Sequence, residues 1–524
     1  MLGLVWILIA RMLGPSDLWD QTQPKTISYT TDIIVHGGEH WILPLERGAL
    51  PATKPPLYNW LAVPMVKLLG FGSEVAHKFP SILAICLCWL VLVRLGRRLD
   101  ANNDGSVGWL AGLALVACYP MFKLGYLARP DMLLVLWMLL AWIASTAVLA
   151  DASRLPNETP RLTAHSRRWL VAAFWTCIAL AGLTKGPAAL AGVLYIVIAA
   201  RILTGSWRGV GVMRPVSGFA FALMINAAWL AAVWRINADH LYQELWYNEI
   251  YGRVTGVGPE GNRKGPMGWF IDLPNQLLYY VVRFMPWSLC SFAAMAVLRQ
   301  QRSKARSGDS TTQNWKSSSA SRWLYGAAIF VIVVIGLFTL STGKRADYIA
   351  IALPQGALLA AWWLLRMDSR FALRLPWLAP TAAIVGLSAM TIVNQAESSA
   401  PVKGFGDAIN QFAQEAGALI RNEPLPVAYF ITGELHLQAM IGTSVSEERR
   451  LLFELFDGDQ PFWLVAGRHP EEPRDPAERL SRTRQAAKAH FEPLVRSAVM
   501  SGTGLWPEQV TLYRVTPGSK HTAN

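Results

Sequence analysis

Apolar residues run through this chain in long blocks, without the alternation of half-buried strands or the one-sided stripe of soluble helices. The blocks fall at about 1–14, 78–95, 107–122, 131–150, 168–184, 186–204, 215–235, 275–298, 322–341, 347–365 and 375–393. A helix needs about 20 mostly apolar residues to cross a bilayer. Several blocks come close to that and are hydrophobic all round, which lipid tolerates and water does not. The pattern predicts an all-α polytopic membrane bundle of about eleven transmembrane helices. The first block, MLGLVWILIARMLG, is short and holds Arg11. It reads as a transmembrane helix with a truncated start rather than a cleavable signal peptide.

The segments between blocks divide into two sets. One set of alternate loops is rich in Arg and Lys, for example Arg94, Arg97 and Arg98, then Arg161, Arg167 and Arg168, then Arg201, Arg208 and Arg214. The Ser-rich linker 299–322 belongs to it. By the positive-inside rule these loops face the cytoplasm of an inner or plasma membrane. The opposite, extracytoplasmic set holds 15–77, 123–130, 236–274, 342–346 and everything after about 394. An odd number of spans puts the N-terminus in the cytoplasm and the C-terminus outside. Within 15–77, ISYTTDIIVHG and LYNWLAVPMVKLLGFG read as amphipathic helices lying on the membrane interface. After 393 the composition becomes ordinary. LPVAYFITG, PFWLVAG and VTLYRV read as strands, and FGDAINQFAQEAGALIRN and PAERLSRTRQAAKAHFEPL as helices. The expected division is a transmembrane domain over 1–393 and a small C-terminal α/β extracytoplasmic domain over 394–524.

Composition supports this reading. Hydrophobic residues make up 53% of the 524 and charged residues 16%, below the roughly 25% of soluble domains. The 23 tryptophans suit a protein with many lipid–water boundaries. The net charge of +13 sits in short loops between apolar blocks, where it orients the chain and meets anionic membrane lipids. No basic stripe with interleaved aromatics marks a polar segment, so no nucleic-acid partner is expected. Cys86, Cys88, Cys118, Cys177 and Cys290 lie in or beside apolar blocks, away from any metal-ligand spacing.

Ionisable groups at the mouth of a membrane bundle are costly and mark function. Five places on the extracytoplasmic side stand out. In SDLWDQTQPKT, Asp20 could accept a proton from an attacking hydroxyl, whereas Asp17 reads as a structural acid and Lys25 follows both. In ATKPPLYNW, two prolines fix the chain after Lys54, a point charge suited to phosphate. In LARPDMLLVL, Asp131 opens a helix beside Arg129; it reads equally as a site residue and as an anion favoured by the helix dipole. In LWYNEIYGRVTGVGPEGNRKGP, Glu249 and Arg253 are candidate phosphate contacts. In STGKRADYIAIALP, Lys344 and Arg345 stand in a short extracytoplasmic hinge with Tyr348 just beyond. Cations there run against the positive-inside bias, and a bound anion is the simplest reason for them. Lys185 in LTKG is a further candidate contact, read equally well as an interfacial lysine.

Clustered cations with a few carboxylates suit sugar transfer from a lipid phosphate, where the leaving group is an anion whose charge must be stabilised. The Gly-rich phosphate turns of a nucleotide-sugar domain are not visible. The residues in ATKPPLYNW, LTKG and the Lys344–Arg345–Tyr348 pattern resemble those of polytopic lipid-phosphate-sugar glycosyltransferases, of the protein O-mannosyltransferase and lipid A aminoarabinose transferase type. The resemblance implies a sugar donor on a polyprenyl phosphate and a lipid, glycan or protein acceptor. It implies Lys54, Lys344 and Arg345 on the donor phosphate, with Tyr348 in the same pattern and Lys25 and Arg253 as additions. It also implies Asp131 near the sugar or acceptor. The family's first loop carries an acidic pair in a pattern like DEPRYA. Here Thr22 and Gln23 stand in its place, and Asp20, two residues earlier, is the carboxylate left to act as base. A non-catalytic binder of lipid-linked sugar, and then a lipid or sugar transporter, are the rival readings. No cofactor is implied. A divalent ion at Asp20 or Asp131 stays open, but no tight ligand cluster stands out in the sequence.

Overall fold

The computed structural model describes residues 1–18, 22–99, 105–153, 161–251, 270–306, 319–341, 345–366, 375–398, 401–432, 435–446, 449–469, 474–499 and 508–518. It is mostly helical, and helix occupies each of the eleven expected blocks. Five helices are long and apolar enough to cross a membrane: Glu74–Arg97, Asp131–Ala152, Ala164–Thr204, Pro215–Ile236 and Ala320–Leu340. A sixth arises if Phe270–Arg283 and Trp287–Ser303, bent by 109° against each other, count as one. Pro286 lies in that break, where its ring and missing N–H interrupt a helix. The expected continuous span 275–298 is therefore two pieces. The run Ala164–Thr204 holds two expected blocks, separated by the 3-10 turn Gly186–Ala189. The apolar helices Leu2–Met12 and Ser106–Val116 fall short of spanning length.

The helix Asp131–Ala152 is the centre of the bundle, with 78% of its apolar window buried, against 17% for Pro215–Ile236 at the periphery. Glycine allows the tightest helix contact, since a Cβ on Gly96 or Gly108 would lie 2.2 Å from backbone of the facing helix. One large apolar core runs through all these helices.

Both amphipathic helices expected within 15–77 form, at Gln23–His36 and Leu57–Leu69. A two-stranded hairpin lies between them, β1 (Leu45–Glu46) and β2 (Leu50–Pro51). Asn59 ties the two helices by donating to the Thr26 carbonyl at 2.7 Å and to the Thr30 hydroxyl at 2.9 Å.

The polar C-terminal residues form a four-stranded sheet from β3 (Val427–Phe430), β4 (Phe462–Arg468), β5 (His490–Arg496) and β6 (Gln509–Thr516). The order is β3-β4-β6-β5, parallel between β3 and β4 and antiparallel elsewhere. The helix Pro401–Asn422 packs on the sheet, burying Ile409, Phe412 and Ala416. That core also takes in Leu18 and Ile27 of the first loop and Ala128 of the segment before Asp131, so the C-terminal residues pack against both. The helix expected over 476–494 is a correction: only Pro476–Ser481 is helical, and 490–496 is strand β5. β5 lies at the sheet edge with a register irregularity at Pro493–Val495, the position where a proline's missing donor is tolerated.

Candidate active site

The ends of several helices meet around two carboxylates. Asp131 is the first residue of its helix, where the dipole favours an anion. Lys185 is the last residue of the helix Ala164–Lys185, where it favours a cation. Gly186, at φ +60°, ends that helix in a conformation that side chains resist, and Pro187 follows it. The Lys185 ammonium donates to Oδ1 of Asp131. Nε of Arg129 lies 3.1 Å from Oδ2 of Asp131. Lys54 lies near enough for its charge to act on the same carboxylate.

The second carboxylate is Asp347. Its Oδ2 pairs with Nη1 of Arg129 and its Oδ1 with Nη1 of Arg283, both at 3.1 Å. The Arg283 guanidinium also lies over the rings of Tyr119 and Tyr279, at 5.6 and 5.8 Å. The Tyr348 ring receives the Lys185 ammonium at 5.3 Å from its centroid. Arg345 is exposed at the start of the 3-10 helix Ala346–Ala352, and its carbonyl accepts from Gln276 at 3.2 Å. Lys54, Arg129, Lys185 and Arg283 thus gather around Asp131 and Asp347.

The backbone leading to Asp131 is pinned from three sides. Ser81 donates to the carbonyls of Leu127 and Arg129 at 2.6 and 3.1 Å. Tyr58 of ATKPPLYNW donates to the Leu127 carbonyl at 3.2 Å. Gln23 accepts from the Ala128 N–H at 2.8 Å and donates to the Asp17 carbonyl at 2.7 Å. The KPP segment and the first loop therefore both brace the site.

Of the candidates, Asp131, Lys185 and Tyr348 come together, with Lys54 close by and Arg345 on the adjoining turn. Lys25 is instead half exposed and pairs with Glu46 of β1 at 3.3 Å. Asp20, Lys344 and Arg253 lie outside the described residues, as does the side chain of Glu249, which sits on the π-helix Leu241–Tyr251. Asp17, read as structural, is held by Arg11 and Lys78. Burial pushes its carboxyl up, but the two cations outweigh this and hold it well below the usual carboxylate range. Sequence reasoning did not single out Asp347 or Arg283. Arg283 was hidden inside an apolar block, and a lone charge there was the available signal.

Gln23, which the resemblance sets in place of an acidic pair, is fully buried and its amide is used in the bracing contacts above. The Thr22 hydroxyl is buried and has no hydrogen-bond partner among the described residues.

Fold and site together define a polytopic helical membrane protein that gathers cations beside two carboxylates, Asp131 buried and Asp347 partly exposed. Residues 53–232 match the family described as dolichyl-phosphate-mannose-protein mannosyltransferase. Over 256 residues the chain is 21% identical to the undecaprenyl phosphate-alpha-4-amino-4-deoxy-L-arabinose arabinosyl transferase of Erwinia tasmaniensis; the match spans 49% of this chain and 43% of that relative. The fold matches ArnT of Cupriavidus metallidurans, solved bound to undecaprenyl phosphate and in the apo state. In each state the TM-score is 0.64 at 16% identity, over 98% of this chain and 96% of that one. The resemblance to the lipid-phosphate-sugar glycosyltransferases is borne out, in sequence over part of the chain and in fold over nearly all of it.

Proposed function

We propose that this chain transfers a sugar from a polyprenyl-phosphate-linked donor to a lipid, glycan or protein acceptor on the extracytoplasmic side of the membrane. The observation that carries this reading is the set of Lys54, Arg129, Lys185 and Arg283 around Asp131 and Asp347, at the junction of helix ends and the first loop. A lipid-phosphate donor leaves as an anion, and preorganised cations stabilise that charge as the sugar–oxygen bond breaks. Lys54 and Arg345, together with Lys344, are the groups proposed to hold the phosphate, with Arg253 as an addition. Asp131 keeps Lys185 and Arg129 aimed, and Tyr348 supplies a ring face to the Lys185 ammonium. Asp20 is the proposed base that takes the acceptor's proton. The Arg- and Lys-rich loops support a cytoplasmic placement of the opposite face.

The test is transfer of a radiolabelled sugar from synthetic polyprenyl-phosphate donors by the purified protein in lipid nanodiscs. Turnover by the wild type, with Asp20→Asn inactive and Lys54→Ala at least about tenfold lower in kcat/KM, is the expected result. Unchanged turnover in Asp20→Asn would remove Asp20 from the mechanism. The second reading, a non-catalytic binder of lipid-linked sugar, draws on Thr22 and Gln23 at the acidic pair. Donor binding without transfer to any acceptor would favour it.

A further inference from the structure

Beyond the charge cluster, a second group of ligand-bearing side chains sits at the end of the helix Gln23–His36. Asp32 and His36 are four residues apart and share one face of that helix. Gly37 and Gly38, at φ +65° and +51°, then turn the chain back. A Cβ at either glycine would meet nothing within 4 Å, so glycine is needed there for its backbone conformation alone. The turn returns His40 to the same carboxylate, and its ring stacks on that of His36 with centroids 4.7 Å apart.

Asp32 is fully buried and its two oxygens are used alike. Oδ1 lies 3.0 Å from Nδ1 of His36 and accepts from the Ser444 hydroxyl at 2.7 Å. Oδ2 lies 2.6 Å from Nδ1 of His40 and accepts from the Leu45 N–H at 2.6 Å. One carboxylate oxygen and the two ring nitrogens can be chosen within 4.8 Å of one another.

We propose that Asp32, His36 and His40 bind one divalent ion of the zinc class, which locks the first loop to the C-terminal residues. Two imidazoles and a carboxylate are the donors that such ions take, with a water completing a four-coordinate site. Ser444 and Leu45 already do what outer-shell groups do for a metal-bound carboxylate: they occupy its remaining lone pairs and fix its plane. The imidazoles are partly exposed, His36 at 38% and His40 at 26%, so an ion can enter and keep a water. Imidazole can ligate a metal through Nδ1 while its proton sits on Nε2.

The ion would join three segments: the loop helix through its own ligands, β1 through Leu45, and the C-terminal region through Ser444. Gly48 in the hairpin turn already packs on the Ser444 carbonyl, where a Cβ would lie at 2.9 Å. The hairpin runs on from β2 into Lys54, so a lock at Leu45 limits the freedom of the segment that carries that lysine. The proposal does not rest on sugar transfer, and its readout is metal uptake. The ligand cluster is not evident from residue spacing, because His40 follows two helix-breaking glycines and returns to Asp32 only through the fold.

The experiment uses untagged full-length protein in detergent, stripped with chelator and dialysed, then titrated with zinc chloride or cobalt chloride alone. One equivalent of zinc per chain, a cobalt visible spectrum of a low-symmetry nitrogen–oxygen site, and a zinc-dependent rise in thermal midpoint are expected. His36→Ala and His40→Ala should each abolish stoichiometric uptake. Ser444→Ala keeps all three ligands and should weaken uptake by about tenfold. Wild-type protein that takes up no stoichiometric zinc and gives no cobalt spectrum would overturn the proposal and leave a hydrogen-bonded cluster only. Full uptake by the doubly substituted His36→Ala/His40→Ala protein would overturn it as well.

Discussion

At the scale of single residues, the charge cluster depends on pairing. Arg129 is buried and reaches both Asp131 and Asp347, while Lys185 spends its ammonium on Asp131. Removing one member of a buried pair leaves the partner charge uncompensated, at a cost on the order of 3–5 kcal/mol. Asp131→Asn should therefore lower the thermal midpoint clearly and cut transfer at least about tenfold, with Lys185 and Arg129 no longer aimed. A stable, fully active Asp131→Asn protein would show that the carboxylate does neither. Asp17 makes a pH prediction. Its folded pKa is depressed, so its stabilisation is complete above the unfolded value, about 3.9, and is lost as pH falls through the folded one. Asp17→Asn should be less stable than wild type at neutral pH, and thermal unfolding should show the gap closing only below about pH 4.

At the scale of elements, the turn after Lys185 sets where its ammonium points. Gly186 has a positive φ and open space around a would-be Cβ, so an alanine there is strained by backbone conformation alone. Gly186→Ala should cost about 1–3 kcal/mol and lower transfer through displacement of Lys185. Differential scanning fluorimetry and the transfer assay read the two effects separately. Much at this scale was legible beforehand. Apolar blocks located the helices, and amphipathic spacing located Gln23–His36 and Leu57–Leu69. Where local signals failed, a longer-range contact or a proline had decided. Residues 482–494 carry alanines and basic residues that favour helix, yet 490–496 pair with β6 as an edge strand that accommodates Pro493. In the same way, Pro286 breaks an apolar block that reads as continuous. In the candidate site, Lys54 was legible as a lysine before two prolines, and Asp131, Lys185 and Tyr348 as charges or a ring at block ends. Asp347 and Arg283 were not, because their importance lies in pairing across more than 60 residues of chain.

At the scale of the whole molecule, the C-terminal residues share a core with the first loop through Leu18 and Ile27, and with the segment before Asp131 through Ala128. Under the proposed orientation all three lie outside the cytoplasm. Single cysteines placed in the linker 299–322 and in the C-terminal region, in a background without the native five, should show opposite accessibility to an impermeant thiol reagent on intact spheroplasts. The C-terminal cysteine is expected to label and the linker cysteine to stay protected until lysis. Equal labelling of both would refute the two-sided arrangement. The match of fold to ArnT over nearly the entire chain makes this arrangement worth testing as a unit.

The central claim is that the cations at the helix ends hold a lipid phosphate. A cryo-EM map of the protein in nanodiscs with added undecaprenyl phosphate tests it most directly. The account predicts phosphate density within hydrogen-bond reach of Lys54 and Arg345, beside the Asp131–Lys185 pair. Lipid density confined to the bundle's outer surface, with no phosphate beside those cations at saturating lipid, would contradict it.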